Sequence, residues 1–313
     1  MKHGSRARAA AVLVLCLATA VAGTWPRHAE AATSSAFSPL PAGARTWGMA
    51  GTSVALADDA YATLANPARL AFLDGRQANV GYARLVEGLT NDRLLLAFAT
   101  PIGEDITAPG QGERAHKAAF GLAAEFQNLE LSEGSGYGEL SLTGAFAWAP
   151  SNFAAVGAGF RYLTAGSDLD GVSASGLALD LGATVALYPQ WEVAFVYRNL
   201  GGSVEFEESG AEDLARHLSL ATAWTRNRLA DVELEMTWES SQAYWGSLGA
   251  EVEIGGALDL RAGARRWIKP EGRWVPAAGA GVHLGRFRFD YGARFDGVDA
   301  LGITHQGSLG ASF

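Results

Sequence analysis

Cysteine is almost missing from this 313-residue chain: the one present, Cys16, lies in the apolar run Ala9 to Ala22. Lys2, Arg6 and Arg8 precede that run and the small-x-small triplet Ala29-Glu30-Ala31 follows it. Together they predict a cleaved export signal over residues 1–31. Once it is removed, disulfides and cysteine-based metal or redox sites are excluded. Leu13-Val14-Leu15 stand before Cys16 where a lipoprotein signal needs small residues, so no lipid anchor is expected.

Basic charge is scarce as well. The chain has 24 Lys and Arg against 33 Asp and Glu; the signal takes away Lys2, Arg6, Arg8, Arg27 and Glu30, leaving 20 against 32. That balance argues against a nucleic-acid partner. Long apolar runs are also absent: the run in the signal is shorter than the roughly 20 residues a membrane helix needs, and none follows it. Catalytic patterns are lacking too, with no G-x-S-x-G, H-E-x-x-H, P-loop or dinucleotide-binding glycine motif. An enzyme is not expected, and neither is a cofactor or a metal. Glu205, Glu207, Glu208, Glu212 and Asp213 form an acidic stretch without the regular spacing of a calcium loop, and read as a solvated charge run.

What is present is alternation. From residue 78 onward the chain divides into about fourteen segments of roughly ten residues, each large and apolar on one parity and small or polar on the other, as a sheet between lipid and a polar interior requires. Leu122, Ala124 and Phe126 oppose Gly121, Ala123 and Glu125; Leu140, Leu142, Phe146 and Trp148 oppose Glu139, Ser141, Thr143 and Ala147. Leu177, Leu179, Leu181 and Val185 oppose Ala178, Asp180, Gly182 and Thr184. A soluble sandwich also alternates, so the connections matter. With a periplasmic N-terminus, short inner turns at Pro189-Gln190, Arg226-Asn227, Gly255-Gly256 and Gly285 alternate with longer outer loops such as Asn128 to Gly138 and Leu200 to Arg216. Pro101 to His116 breaks this rule as a long inner excursion.

Aromatic residues fall near the strand ends, as membrane girdles require. Trp148, Trp191, Trp224 and Phe313 are expected at the inner rim, and Tyr162, Tyr197, Trp238, Trp245 and Phe295 at the outer. Trp267 has the wrong parity for the lipid face unless Arg265-Arg266 forms a bulge.

Inside, many positions are small, among them Gly121, Ala145, Gly157, Gly159, Gly182 and Ala221, leaving room for an insert. Others are charged. A three-residue turn Gly255-Gly256-Ala257 sets Glu251 opposite Arg261, and Glu233, Glu235, Arg265, Arg288, Asp290 and Arg294 continue a polar lumen lining. The insert is Gly43 to Leu73, rich in Ala and Gly and without strand period. Thr52 or Ser53 is expected to cap a helix over Val54 to Leu64 with Asp58 and Asp59 on a solvated face, and Asn66-Pro67 to end that turn and begin another. The competing reading is a helical arm on a soluble core.

The motifs Gly43-Ala44-Arg45, Gly48-Met49-Ala50-Gly51, Ala55-Leu56-Ala57-Asp58-Asp59 and Asn66-Pro67-Ala68, with Thr90-Asn91-Asp92 and Ala97-Phe98-Ala99-Thr100-Pro101, resemble the PorV/PorQ family, which belongs with the FadL-like outer-membrane barrels. The resemblance covers residues 43–102 in detail and the remainder in strand number. It implies an all-β, transmembrane antiparallel β-barrel of about fourteen strands with an N-terminal, partly helical plug, in the bacterial outer membrane. It further implies that Asn66, Pro67 and Ala68 belong to a hatch. Arg69 stands where that family often has Gly. The expected organisation is a signal peptide (1–31), a plug (32–77) and a barrel (78–313). A final strand ending in Phe313 looks like the signal read by the barrel-assembly machinery. Two functions remain open: a plugged channel for hydrophobic small molecules, and a PorV-like accessory that binds secreted proteins in a type IX-like secretion system. Membrane lipids are partners under either.

Overall fold

A computed structural model describes residues 33–34, 36–85, 91–107, 114–132, 135–168, 173–207, 210–226, 229–269, 272–296 and 302–313. The expected signal at 1–31 lies outside them. A two-residue strand β1 (Thr33–Ser34) lies in the expected plug, and the period-2 segments form strands β2 (Gln77–Arg84), β3 (Asn91–Thr107), β4 (Arg114–Ser132), β5 (Ser135–Ser151), β6 (Ala154–Ser167), β7 (Ser173–Tyr188) and β8 (Trp191–Phe206). They continue as β9 (Gly210–Leu214), β10 (His217–Arg226), β11 (Ala230–Glu239), β12 (Tyr244–Ile254), β13 (Leu258–Lys269), β14 (Trp274–Leu284), β15 (Phe287–Phe295) and β16 (Ile303–Ser312).

Fourteen of these, β2 to β8 and β10 to β16, close an antiparallel barrel, with β16 paired to β2 and β8 to both β7 and β10. Closure satisfies every wall strand's backbone groups without an edge. The short β9 folds back on the far part of β8, and β1 lies parallel to β9.

The side-chain period holds around the wall. Leu122, Phe146 and Phe160 are about half exposed on the outside, at 50%, 50% and 53%, while Ala123, Ala145 and Ala147 are buried inside. Gly255 and Gly256 (φ 64° and 72°) and Gly285 (φ 62°) adopt the left-handed backbone that tight hairpin turns need. Glu251 pairs with Arg261 and Glu253 with Asp259, as a three-residue turn at 255–257 demands.

Several connections differ from expectation because strands outrun the membrane pattern. Pro101 to His116 is no loop: β3 and β4 continue through most of it as a projecting hairpin, with a register shift between Ile102 and Asp105. Asn128 to Gly138 is likewise strand up to Ser132 and from Ser135. Arg265 and Arg266 pair regularly with Ser247 and Gly246; the shift lies beyond them, at Tyr244/Trp245. Trp267 therefore keeps its inward parity and packs on Trp245 with ring centroids 4.6 Å apart. Trp245, expected in the outer girdle, also faces inward and is buried. Tyr197 faces outward yet is only 1% exposed, packed with Val185, Phe195 and Leu218. Beside it β8 is irregular, with Asn199 and Gly201 both at φ 60°.

The helical segments are shorter than the sequence suggests. Ala44–Gly48 and Ala62–Ala65 are α-helical and Pro67–Phe72 is a 3-10 turn. Residues 51–60 form turns, so the helix expected from Val54 is absent.

Candidate functional site, a hatch held in the lumen

The N-terminal segment threads the barrel. Phe37 lies near the outer loops, buried among Leu163, Ala165, Ala174, Ala178, Val204 and Leu214. The segment leaves at the opposite end, where the Phe313 amide donates to the Arg76 carbonyl at 2.9 Å and β2 begins. Between them, residues 43–73 fill the lumen.

One side of this hatch is ionic. Arg45 makes a two-pronged contact with Glu251, Nε and Nη2 each 2.9 Å from a carboxylate oxygen. Its Nη1 donates to the Leu56 carbonyl at 2.7 Å and to Asp58 at 3.0 Å. Such bidentate, charge-assisted bonds fix orientation as well as energy. Glu251 also accepts from Arg261 Nε. Arg261 in turn reaches Asp259 at 2.7 Å and Asp290 at 2.8 Å, and Arg288 bonds Asp290 at 3.1 Å. Arg288 lies 3.7 Å from Asp58.

Asp58 and Asp59 form the expected solvated face in part: Asp58 keeps 48% of its side chain exposed while it pairs with Arg45. Asp59 accepts from the Tyr61 amide at 2.8 Å and from Asn79 Nδ2 at 3.0 Å. Burial and the adjacent Asp58 carboxylate push Asp59 up to about 6.

Glu233 and Glu235 serve the hatch backbone. Glu233, fully buried, accepts from the amides of Ala55 at 2.8 Å and Leu56 at 3.2 Å, and Glu235 from Ser53 at 3.4 Å. Buried N–H groups outside regular structure require such partners. Arg294 stands elsewhere, over the Trp47 ring at 4.9 Å and 3.3 Å from Asp296.

The other side is apolar and close-fitting. Ala60, Ala62, Ala65, Ala68, Leu70 and Leu73 pack on wall alanines including Ala97, Ala119, Ala145 and Ala155. Asn66 is fully buried; its side chain accepts from the Ala68 amide at 3.1 Å and donates to the Val54 carbonyl at 2.7 Å. Pro67 opens the 3-10 turn, where its missing N–H costs nothing. Gly157 and Gly182 make the seat for this turn. A Cβ on Gly157 would lie 2.5 Å from Pro67 C and Ala68 N, and one on Gly182 would lie 2.1 Å from Asn66 Oδ1.

The sequence did not point to the contacts of three further residues. Arg69 reaches Glu192 at 2.6 Å and the Ala57 carbonyl at 3.0 Å. His116, on the projecting hairpin, sits 2.9 Å from the Leu73 carbonyl and 2.8 Å from Asp105. Arg198 donates to the Ala65 carbonyl. His116 and Arg198 read as ordinary polar residues until the hatch is placed against them, and the partner of Arg69 lies far along the chain. A water-sized cavity of about 40 Å³ lies between Pro39–Pro41 and a wall patch with Arg198, His217, Trp245 and Arg265.

No family model and no curated protein matches this chain. Solved structures do. The CymD monoaromatic hydrocarbon channel superposes with a TM-score of 0.67 at 14% identity, over 89% of this chain and 99% of that one. The Ralstonia pickettii toluene transporter TbuX gives 0.64 at 13%, over 87% and 98%. A Pseudomonas aeruginosa FadL homologue gives 0.62 at 14%, over 87% and 98%. At such identities the likeness establishes a shared fold.

Proposed function

We propose that this chain is an outer-membrane channel for hydrophobic small molecules, closed by the hatch at residues 43–73. The observation that carries the reading is a lumen wall cut back to Gly and Ala wherever Asn66-Pro67-Ala68 sits, so that a separable segment occupies what would otherwise be a passage. Its likeness in fold to the CymD hydrocarbon channel and the toluene transporter TbuX supports the same reading. The burial of Phe37 among aliphatic side chains at the outer end supports it too, since a benzene-sized group is accommodated inside the barrel. The half-exposed apolar band outside suits lipid. On this reading the lumen charges hold the plug and do no catalysis. Closer kinship with the PorV/PorQ proteins is proposed on residues 43–102 alone.

The barrel wall closes its own hydrogen bonds, so deletion of residues 43–73 is expected to leave a folded barrel that shifts on gels when boiled. In planar bilayers it is expected to pass ions far better than the intact protein, and in vesicles to speed entry of a monoaromatic hydrocarbon. A folded deletion variant with unchanged conductance and flux overturns the channel. Secreted proteins co-purifying from outer membranes would favour the accessory instead.

A further inference from the structure

The outer surface carries a groove the lumen does not explain. Across β2 to β6 one row of paired residues runs Tyr82, Leu94, Phe126, Leu140, Thr164. The next row toward the outer loops runs Arg84, Asp92, Asn128, Gly138, Gly166 by the same pairings. The first row is largely apolar, with Tyr82 48% and Phe126 44% exposed. The second is polar at one end, where Arg84 and Asp92 pair at 3.2 Å, and has no side chains at the other.

The two glycines open a hollow of about 510 Å³, within the range of small-molecule clefts. They differ from the inward glycines in one respect. A Cβ on Gly157 or Gly182 would strike the hatch, whereas one on Gly166 meets nothing within 4 Å and one on Gly138 nothing nearer than 3.9 Å. The chain itself therefore leaves this space open, on a face continuous with the apolar band.

We propose that the groove holds an acyl chain of lipid A, the acylated and phosphorylated disaccharide of the outer leaflet, as a fixed member of the protein's lipid shell. Hydrocarbon is the solvent of that band, and an apolar hollow there is filled by what surrounds it. The groove lies at the end opposite the tight glycine turns, and short turns mark the periplasmic side, which selects the outer leaflet. Arg84, paired with Asp92, and Asn128 set the polar boundary at which the apolar part of the groove ends toward the headgroup region.

The proposal rests on the outer-membrane reading, and its test separates the two. Full-length protein is placed in nanodiscs of phosphatidylethanolamine and phosphatidylglycerol, with or without lipid A, then extracted in mild detergent and weighed by native mass spectrometry. One lipid A is expected to stay bound after delipidation. Gly138→Trp and Gly166→Trp are expected to cut its occupancy at least tenfold, while Leu122→Trp, on the same face away from the groove, keeps it. Gly166→Trp alone carries the comparison if Gly138→Trp loses heat-modifiable migration. Equal retention in the filled variants, retention of phospholipid instead, or no bound lipid on an inserted barrel each overturns the groove. A wild-type chain that neither inserts nor shows heat-modifiable migration overturns the membrane reading and the groove with it.

Discussion

The hatch meets its barrel in two unlike ways. From Ala44 to Asp58 it is tied to β11, β12 and β15 by ion pairs and by carboxylates that accept its amides. From Ala60 to Leu73 it lies on β3 to β7 mainly through alanine and glycine contacts, with Arg69–Glu192 as a buried ion pair. The ionic seat is directional: its buried charges hold only in one geometry, and separating them within the lumen leaves the desolvation cost of each uncompensated. The apolar seat is a matter of shape. Many weak contacts of about 0.1 to 0.2 kcal/mol each add up only while the surfaces match. The first is both anchored and fitted, also seating Ala44, Met49 and Thr52 on Gly292, Gly263 and Gly249, while the second is mainly fitted, so opening is expected to begin at residues 60–73.

The largest effect should come from the anchor. Glu251→Ala leaves Arg45 and Arg261 facing one another without their shared acceptor. Removing one partner of a buried pair costs about 3 to 5 kcal/mol. Unfolding by urea in lipid vesicles should show that loss, with Glu251→Gln milder; a variant as stable as wild type removes the distinction between the seats.

Gly157→Leu tests the fitted side. Its side chain has no room beside Pro67 and Ala68, and overpacking costs about 1 to 3 kcal/mol. Limited proteolysis should then cut within 60–73 while 44–58 stays protected, and single-channel recordings should show raised conductance. Cleavage in both halves at equal rates would mean that the hatch moves as one piece.

Asn66→Ala should cost about 1 kcal/mol, the usual worth of a capping side chain, plus the Val54 carbonyl left without its donor. Conductance should flicker without full opening.

The smallest effect concerns pH. Asp59 is raised from its ordinary 3.8 to about 6, so the folded protein binds its proton more tightly than the unfolded chain does. Its contribution is complete below about pH 4 and is lost as the pH rises through 6. Asp59→Asn should flatten the dependence of stability on pH between those limits. An unchanged slope would assign it to other groups.

Much of the wall was legible because a strand's side chains alternate strictly, so Leu122 and Ala123 sort themselves by size. The Glu251–Arg261 pairing followed from one three-residue turn. Strand length past the membrane was not legible: Pro101 and the glycines near it look like loop, and only pairing between β3 and β4 carries the ladder onward. Trp245 is expected at the lipid rim because aromatic residues usually ring it, and Trp267 only with a bulge, yet the two pack on each other inside with their rings tilted by 45°. The hatch was the hardest part. Its turns are set by Glu233, Glu235 and Glu251 far along the chain, and local helix preference from Val54 to Leu64 yields to those bonds. Asn66-Pro67-Ala68 was readable because the bond that the Ala68 amide donates to Asn66 Oδ1 is local.

The course of the N-terminal segment has a consequence for how the protein is made. Thr33 and Ser34 pair with β9 beside the outer loops, while β2 starts at the inner end and joins β16. The chain is a cord drawn through a ring that its own two ends of sheet complete. A finished ring would have to be threaded lengthwise by that cord, whereas an unfinished one can be wrapped around it sideways. The seam between Gln77–Arg84 and the last strand is therefore the clasp of the ring, and its bonds are expected to form last, after the cord has been laid in place.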